Sequence, residues 1–393
     1  MSSTSADPTG ARDQALRALA AGDAATARAI LERTPPSSRD LAHWLQLAAT
    51  CRATKDFAAA TGAVENALRL DPRDFMALLM KASLLERAGR TRAAATAYGV
   101  ALSQAPPDEA LDGPTLRAVR RARDLNAAYT SELADFLRAR VREAAVGASV
   151  ERNRADAFVD FLLGRRRRYH QEPTQFFYPG QPAIEFYDRS EFPWLADLEA
   201  RTADIRSELL AVLGAGQEGL EPYIAYPDDV PLDQWTALNN SADWSAFHFY
   251  KAGVRIEENC ARCPATMDAI GRLPQPVVRS RSPAAMFSIL RPRTRIPPHT
   301  GVANTRLVLH LPLVVPPGCG FRVGAQTRAW ASGEAWVFDD TIDHEAWNDS
   351  DQIRAILICD IWQPRLSEAE RALVTTVMES IDDFNGAAQD EAL

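Results

Sequence analysis

Two histidines, His299 and His344, stand 45 positions apart in the last third of a 393-residue chain, and Arg354 follows the second by ten. Neutral imidazoles ligate divalent transition metals, and a guanidinium is a two-pronged donor for a planar carboxylate. In a β-rich setting the trio points to a non-haem Fe(II) site beside a clamp for a co-substrate such as 2-oxoglutarate. One part is absent. Such sites ordinarily use two histidines and a carboxylate, yet the segment reads His299-Thr300-Gly301. The glycine either narrows the class of site sharply or abolishes it.

The elements that must position these residues are short strands. The spacing predicts strands at 285–290, 306–315, 320–323, 335–338 and 353–362, separated by Gly- and Pro-containing turns. In 306–315 the leucines 307, 309, 311 and 313 alternate with Arg306, Val308 and His310. In 353–362, Arg354, Ile356 and Ile358 share one face and Ala355, Leu357 and Cys359 the other. Many short strands of this kind form a sandwich or barrel. The face bearing His310 and Arg354 is expected to line its mouth, where ligands sit.

The first part of the chain is of another texture. Asp40, Asp74 and Asp108 recur every 34 residues, as do Pro72 and Pro106, and Ala60, Ala63 and Ala67 return at Ala94, Ala97 and Ala101. A 34-residue period of alanine-rich helix pairs resembles the tetratricopeptide repeat, whose small residues let helices approach closely. Two units are read at 41–74 and 75–108 and a weaker one at 11–40. Each pair cannot bury its apolar face alone, so units stack into a solenoid with a binding surface. Further helix is expected over 114–170, with Leu116, Val119, Leu125, Leu133, Phe136 and Leu137 at helical spacing, and again at 193–214.

The expected organisation is multidomain α+β. It comprises a disordered N-terminus (1–10), helical repeats (11–110), a helical cap (111–170), a β domain (171–370), and a C-terminal helix and tail (371–393).

Composition narrows the class. With 46% hydrophobic and 24% charged residues the chain reads as globular, and a net charge of -8 argues against nucleic acid. No apolar run reaches the roughly 18 residues that span a bilayer, and Met1 to Gly10 lacks the layout of a signal peptide. A cytoplasmic protein with no membrane partner is the expectation. The four arginines 165–168 are read as a solvated helix end. Cys260 and Cys263 form a lone CxxC without a second pair to complete a zinc site, and are read as loop thiols. Cys319 and Cys359 are read as buried small hydrophobes, and His43, His170 and His248 as ordinary core or surface residues.

The motifs around the two histidines are specific. His299-Thr300-Gly301, Asn304, Arg306-Leu307, His310-Leu311, Phe338-Asp339-Asp340, His344-Glu345-Ala346-Trp347 and Asp360-Ile361-Trp362-Gln363-Pro364 resemble the aspartyl/asparaginyl β-hydroxylase family. Phe176 to Pro179, Phe186-Tyr187-Asp188 and Phe192-Pro193-Trp194-Leu195 extend the resemblance over about 170–365. It implies a double-stranded β-helix (jelly-roll, cupin-like) oxygenase using Fe(II), 2-oxoglutarate and O2, preceded in some members by helical repeats. In the peptide-hydroxylating branch a glycine likewise stands two places after the first histidine, leaving two protein ligands. By that resemblance His299 and His344 hold the metal and carry catalysis. Arg354, Ser288 and His310 contact the co-substrate, and Asp339, Asp340 and Asp343 orient a ligand or a water. An arginine expected two positions before His310 is Val308 here, and Arg306 is the nearby residue able to compensate.

The implied reaction is hydroxylation at the β-carbon of Asp or Asn in a peptide or protein brought by the repeats. Two rivals stand beside it. One is a hydroxylase of a lipid or small molecule, although the related lipid A acyl hydroxylases are typically membrane-associated and keep the carboxylate. The other is an adaptor whose barrel has lost catalysis.

Overall fold

The computed structural model describes residues 8–144, 152–216, 218–227 and 229–385. The chain divides into two compact units, Met1–Arg165 and Arg166–Leu393. Positions 1–7 and 386–393 of the N- and C-terminal segments lie outside the described residues, whereas Pro8 to Gly10, expected to be disordered, are helical.

Unit 1 is helical. Its elements are α1 (Pro8–Ala20), α2 (Ala24–Glu32), α3 (Leu41–Ala53), α4 (Phe57–Leu70), α5 (Phe75–Arg87), α6 (Thr91–Leu102), α7 (Gly113–Ala144) and α8 (Arg152–Leu162). The 34-residue period has a local cause. Asp40 and Asp74 are N-caps whose carboxylates accept from the backbone N–H of His43 and Ala77, each at 2.7 Å, satisfying donors that a helix start leaves open. Asp108 departs from this role: it opens a short 3-10 turn and pairs with Arg123 at 2.6 Å. The recurring alanines Ala60, Ala67, Ala94 and Ala101 are fully buried where consecutive helices pack. The expected helix over 114–170 is realised in part, as α7 and α8, with Val119 buried but Phe136 exposed; 163–170 are not helical, so the four arginines 165–168 follow the helix rather than end it.

Unit 2 begins with α9 (Leu195–Glu199) and α10 (Thr202–Gly214), then β1 (Glu221–Pro222), β2 (Trp244–Lys251), β3 (Val254–Arg255), α11 (Glu257–Arg262) and α12 (Pro264–Ile270). Eight strands follow: β4 (Ala285–Leu290), β5 (Thr294–His299), β6 (Arg306–Val314), β7 (Cys319–Val323), β8 (Gln326–Ala329), β9 (Trp336–Phe338), β10 (His344–Asn348) and β11 (Arg354–Trp362). Helix α13 (Glu368–Asn385) closes the described chain. The larger sheet runs β1-β2-β4-β11-β6-β9, with β3 beside β2, and the smaller runs β5-β10-β7-β8. Strands β4 to β11 thus exchange between two antiparallel sheets in the order of a jelly roll.

Alternation along β6 and β11 assigns each side chain to a layer. Leu307, Leu309, Leu311, Leu357 and Cys359 pack outward against α9 to α12. Trp244, Leu290, Val308 and Phe338 point inward, meeting Ile296, Phe321, Val323 and Ala346 of the smaller sheet. Both faces of the larger sheet are covered, so β4 is buried at every position rather than half-solvated. Cys260 and Cys263 sit at the α11–α12 junction at 2% and 0% exposure, so they are core residues rather than loop thiols.

Candidate functional site

The site lies between the sheets. Antiparallel pairing of β5 and β10 sets His299 directly opposite His344, and their rings are 4.0 Å apart between centroids. Each ring is fixed in the same way. Nδ1 of His299 lies 2.8 Å from the carbonyl oxygen of Pro297, and Nδ1 of His344 lies 3.0 Å from that of Ile342. A carbonyl only accepts, so both Nδ1 atoms carry the proton and both Nε2 atoms keep their lone pairs. Burial pushes both imidazoles below the ordinary histidine range, most strongly His344, which keeps them neutral. Trp235 meets His299 edge-on at 5.1 Å, and Trp244 lies behind it at 6.4 Å.

Glycine at 301 has a steric reason: a Cβ there would overlap the carboxylate of Asp340. The Gly301 N–H also donates to the Asp340 carbonyl at 2.7 Å. Asp340 itself lies 3.0 Å from Nη1 of Arg306, which is also 3.5 Å from Asp360. The missing carboxylate is therefore not supplied by a neighbour completing a triad. Among the described residues no group of three or more His, Cys, Asp or Glu could hold a metal ion. The donor set fits a cation held by two imidazole nitrogens, with its other positions filled from outside the protein.

The loop after His299 is pinned from unit 2's own N-terminal strap. Thr174 N–H donates to the Gly301 carbonyl at 2.9 Å and Glu172 N–H to that of Thr341 at 2.7 Å. Asn304 donates to Gln171 at 3.0 Å and accepts from Tyr178 N–H at 2.7 Å, while Gln171 donates to Asp339 at 2.5 Å. The motif residues Asn304 and Asp339 thus hold backbone in place. Burial raises the Asp339 carboxyl to about 6 against hydrogen bonds from Thr341 and Gln171 that oppose the shift. Asp343 instead pairs with Arg322 at 2.7 Å.

Arg354 is the anomaly that chemistry must explain. It is 2% exposed, and its Nε and Nη1 have no hydrogen-bond partner among the described residues. Desolvation lowers its guanidinium to about 10. Its guanidinium lies over Trp330, 5.6 Å from the ring centroid. His310 stacks on the same indole at 5.5 Å and 24°, is driven well below its ordinary range by burial and by Arg354, and leaves Nδ1 unpartnered. Phe321 bridges the two ends of the site, 5.1 Å from His310 and 6.0 Å from His344. Ser288 stands on the same sheet face, and its Oγ accepts from Trp244 Nε1 at 3.1 Å, so its own proton remains to be donated.

The structure thus brings His299, His344, Ser288, His310 and Arg354 to one interlayer space. Arg306 differs. Asp340 and Asp360 neutralise it, so it has no free charge for a co-substrate, and Val308 is simply interlayer packing. Trp235, Trp244 and Trp330 were not singled out from sequence. A lone tryptophan carries no periodic signal, and only the fold brings these three to the histidines and the arginine. Trp347 packs over Gly320, where a Cβ would overlap its indole, and Trp362 packs under α13.

Residues 199–364 match the family model described as Aspartyl/Asparaginyl beta-hydroxylase. The chain is 37% identical over 135 residues to "Aspartyl/asparaginyl beta-hydroxylase" of Homo sapiens, covering 34% of this chain and 18% of that one. It is 36% identical over 193 residues to "Ornithine lipid ester-linked acyl 2-hydroxylase" of Rhizobium tropici, covering 48% and 64%. "Aspartate beta-hydroxylase domain-containing protein 2" of Homo sapiens is 30% identical over 206 residues, covering 51% and 53%. The chain therefore spans from about a fifth to just under two thirds of the length of these relatives. A "2OG-Fe(II) oxygenase family" structure from Burkholderia pseudomallei is similar at 16% identity and a TM-score of 0.25, over 46% of this chain and 94% of that one.

Proposed function

We propose that unit 2 is an Fe(II)- and 2-oxoglutarate-dependent oxygenase of the aspartyl/asparaginyl beta-hydroxylase family, whose model residues 199–364 match. It hydroxylates an unactivated carbon, and the β-carbon of Asp or Asn in a peptide is the substrate best matched by the motifs. The observation that carries the reading is Arg354, a buried guanidinium with unpartnered donors in the same interlayer space as two imidazoles whose Nε2 atoms are unprotonated. A buried charge without a partner is costly unless an anion arrives.

Bound iron with 2-oxoglutarate and O2 would supply the oxidising power, 2-oxoglutarate leaving as succinate and CO2. The chain's part is to bind, orient and exclude water. His299 and His344 would hold the metal through Nε2. Arg354 would donate to the distal carboxylate of the co-substrate, with the Ser288 hydroxyl and His310 beside it. Asp340, held by Arg306 against Gly301, offers an acceptor for a water on that side of the histidines. Phe321, Phe338 and Trp244 keep the space dry, which strengthens each polar contact. The helical unit is read as a tetratricopeptide-like array that recruits the substrate.

Succinate formation coupled to a +16 Da peptide product, lost in His344→Ala, tests the reading; full coupled turnover by that variant would overturn it. A second reading, hydroxylation of a lipid acyl chain, is favoured by the longer match to the Rhizobium relative. Presenting acyl-lipid micelles and Asp/Asn peptides to the same iron-loaded protein separates the two by which one gains oxygen.

A further inference from the structure

Arg306 and Arg354, both on inward-facing strand positions, stand at opposite ends of one strand pair. Arg354 opens β11, and Arg306 lies across from Trp362, which ends it. The eight residues between Arg354 and Trp362 span roughly 26 Å of strand. The smaller sheet fixes which end holds the histidines. Asn348, at the end of β10, donates to the carbonyl of Leu290, the residue opposite Arg354. His344 begins the same strand, beside His299, and so lies toward Arg306. In the reading above the co-substrate runs from the histidines toward Arg354. A substrate therefore reaches the metal from the Arg306 end.

The arginines packed beside the histidines are neutralised. Arg306 lies between Asp340 at 3.0 Å and Asp360 at 3.5 Å. Arg322, across from Glu345 on the β7–β10 pair, likewise meets two carboxylates, Asp343 at 2.7 Å and Glu345 at 2.5 Å. Asp340 and Asp343 act electrostatically on His299, and Arg306 acts on His344. Four carboxylates thus attend two guanidiniums at the histidine end. Burial pushes the Asp360 carboxyl up, yet with that proton bound Asp340 alone still neutralises Arg306. Val308, the next inward position along β6, is apolar. Tyr223 stacks on Trp244 at 3.8 Å and senses the charges of Arg306, Asp360 and Asp340. Burial pushes its hydroxyl up to about 12, so it stays an uncharged donor. A carboxylate brought to this end would lose water and gain no cation, whereas a carboxamide finds acceptors for its N–H groups.

We infer that the side chain presented to the metal is uncharged, a carboxamide rather than a carboxylate, and that Asp340 and Asp360 set this preference by neutralising Arg306. The inference rests on the peptide-hydroxylase reading and selects asparagine over aspartate within it. The test immobilises the full chain with Fe(II) and 2-oxoglutarate under argon, so that nothing turns over. One pool of peptides is offered, with Asn or Asp at the centre in equal amounts and uncharged residues randomised on both sides. Mass spectrometry of the captured fraction should show Asn over Asp by at least about tenfold. Val308→Arg adds a cation beside Arg306 and should bring the ratio to about one or reverse it. Position 308 is 7% exposed, so an arginine there can fail to fold. Asp340→Asn is the second variant: it keeps the shape, takes one carboxylate from Arg306, and should lower the ratio at least about threefold. Asp349→Asn removes a carboxylate from an exposed pair with Arg295 and should leave the ratio within about twofold. A ratio near one or favouring Asp in the parent chain overturns the inference and leaves the hydroxylase reading standing. So does a ratio that Asp340→Asn leaves unchanged, or that Asp340→Asn and Asp349→Asn lower alike. Capture of neither form overturns the peptide reading, and the inference with it.

Discussion

His299 and His344 face each other across one antiparallel strand pair, 45 residues apart in sequence and 4.0 Å apart between ring centroids. Their Nδ1 protons are each spent on the carbonyl two residues upstream, so the two lone pairs are set by backbone geometry alone. Removing either ring should abolish Fe(II)-dependent thermal stabilisation. Coupled succinate formation should fall at least about 100-fold, because loss of a ligand's outer partner alone costs about 10- to 100-fold. A thermal shift with Fe(II) that survives in both His299→Ala and His344→Ala would place the metal elsewhere.

Arg354→Met should lower 2-oxoglutarate affinity by about 2–5 kcal/mol and leave the ligand-free protein as stable or more so. The second half follows from the unpartnered Nε and Nη1, since an apolar residue of similar volume removes an uncompensated charge. Calorimetric titration and a melt of the free protein read the two halves. A marked drop in the free protein's Tm makes Arg354 a structural residue.

Gly301→Asp should not rebuild a working triad. The new Cβ meets the Asp340 carboxylate, and the substitution should cost about 1–3 kcal/mol as overpacking. Asp340→Gly in the same chain should recover much of that loss, a non-additivity of about 1 kcal/mol or more expected of residues in contact. Strict additivity in urea melts would contradict the contact.

Arg306→Gln should destabilise by about 3–5 kcal/mol, because Asp340 and Asp360 lose the cation that pairs with both. In whatever fraction stays folded, 2-oxoglutarate affinity should change little. A large affinity loss without a stability loss would return Arg306 to the co-substrate.

Asp339 gives a pH signature. Its carboxyl rises from 3.8 to about 6 on folding, so the folded state keeps the proton longer than the unfolded chain. The contribution is therefore present below about pH 4 and is lost as pH rises to about 6, about 3 kcal/mol in all. Asp339→Asn should flatten the stability profile across that window in denaturant melts, with Gln171 free to turn its amide to match. An unchanged slope would mean that another group titrates there.

Much of the fold could be read along the chain, and where it could not the reason is physical. Strands β4, β6, β7, β9 and β11 follow runs of β-branched and apolar residues and lie within a residue or so of where the pattern set them. The two strands that carry the histidines escaped. β5 contains Pro297-Pro298 and β10 reads His-Glu-Ala-Trp-Asn, so neither has a strand's ordinary composition. Both exist because neighbouring strands supply their hydrogen bonds. The helix-pair texture of unit 1 was plain because aspartate caps and packed alanines repeat at a fixed step.

By itself the sequence named the residues that the proposed chemistry needs: two histidines, an arginine and a glycine where an acid is expected, inside motifs that resemble one family. It could not say which charges are free. Arg306 and Arg354 look alike as arginines on inward-facing strand positions. Only the packed structure shows that Arg306 is neutralised by Asp340 and Asp360, while Arg354 makes no ion pair among the described residues. Side-chain type is a local property, whereas the pairing of buried charges depends on which distant strands the fold brings within about 4 Å.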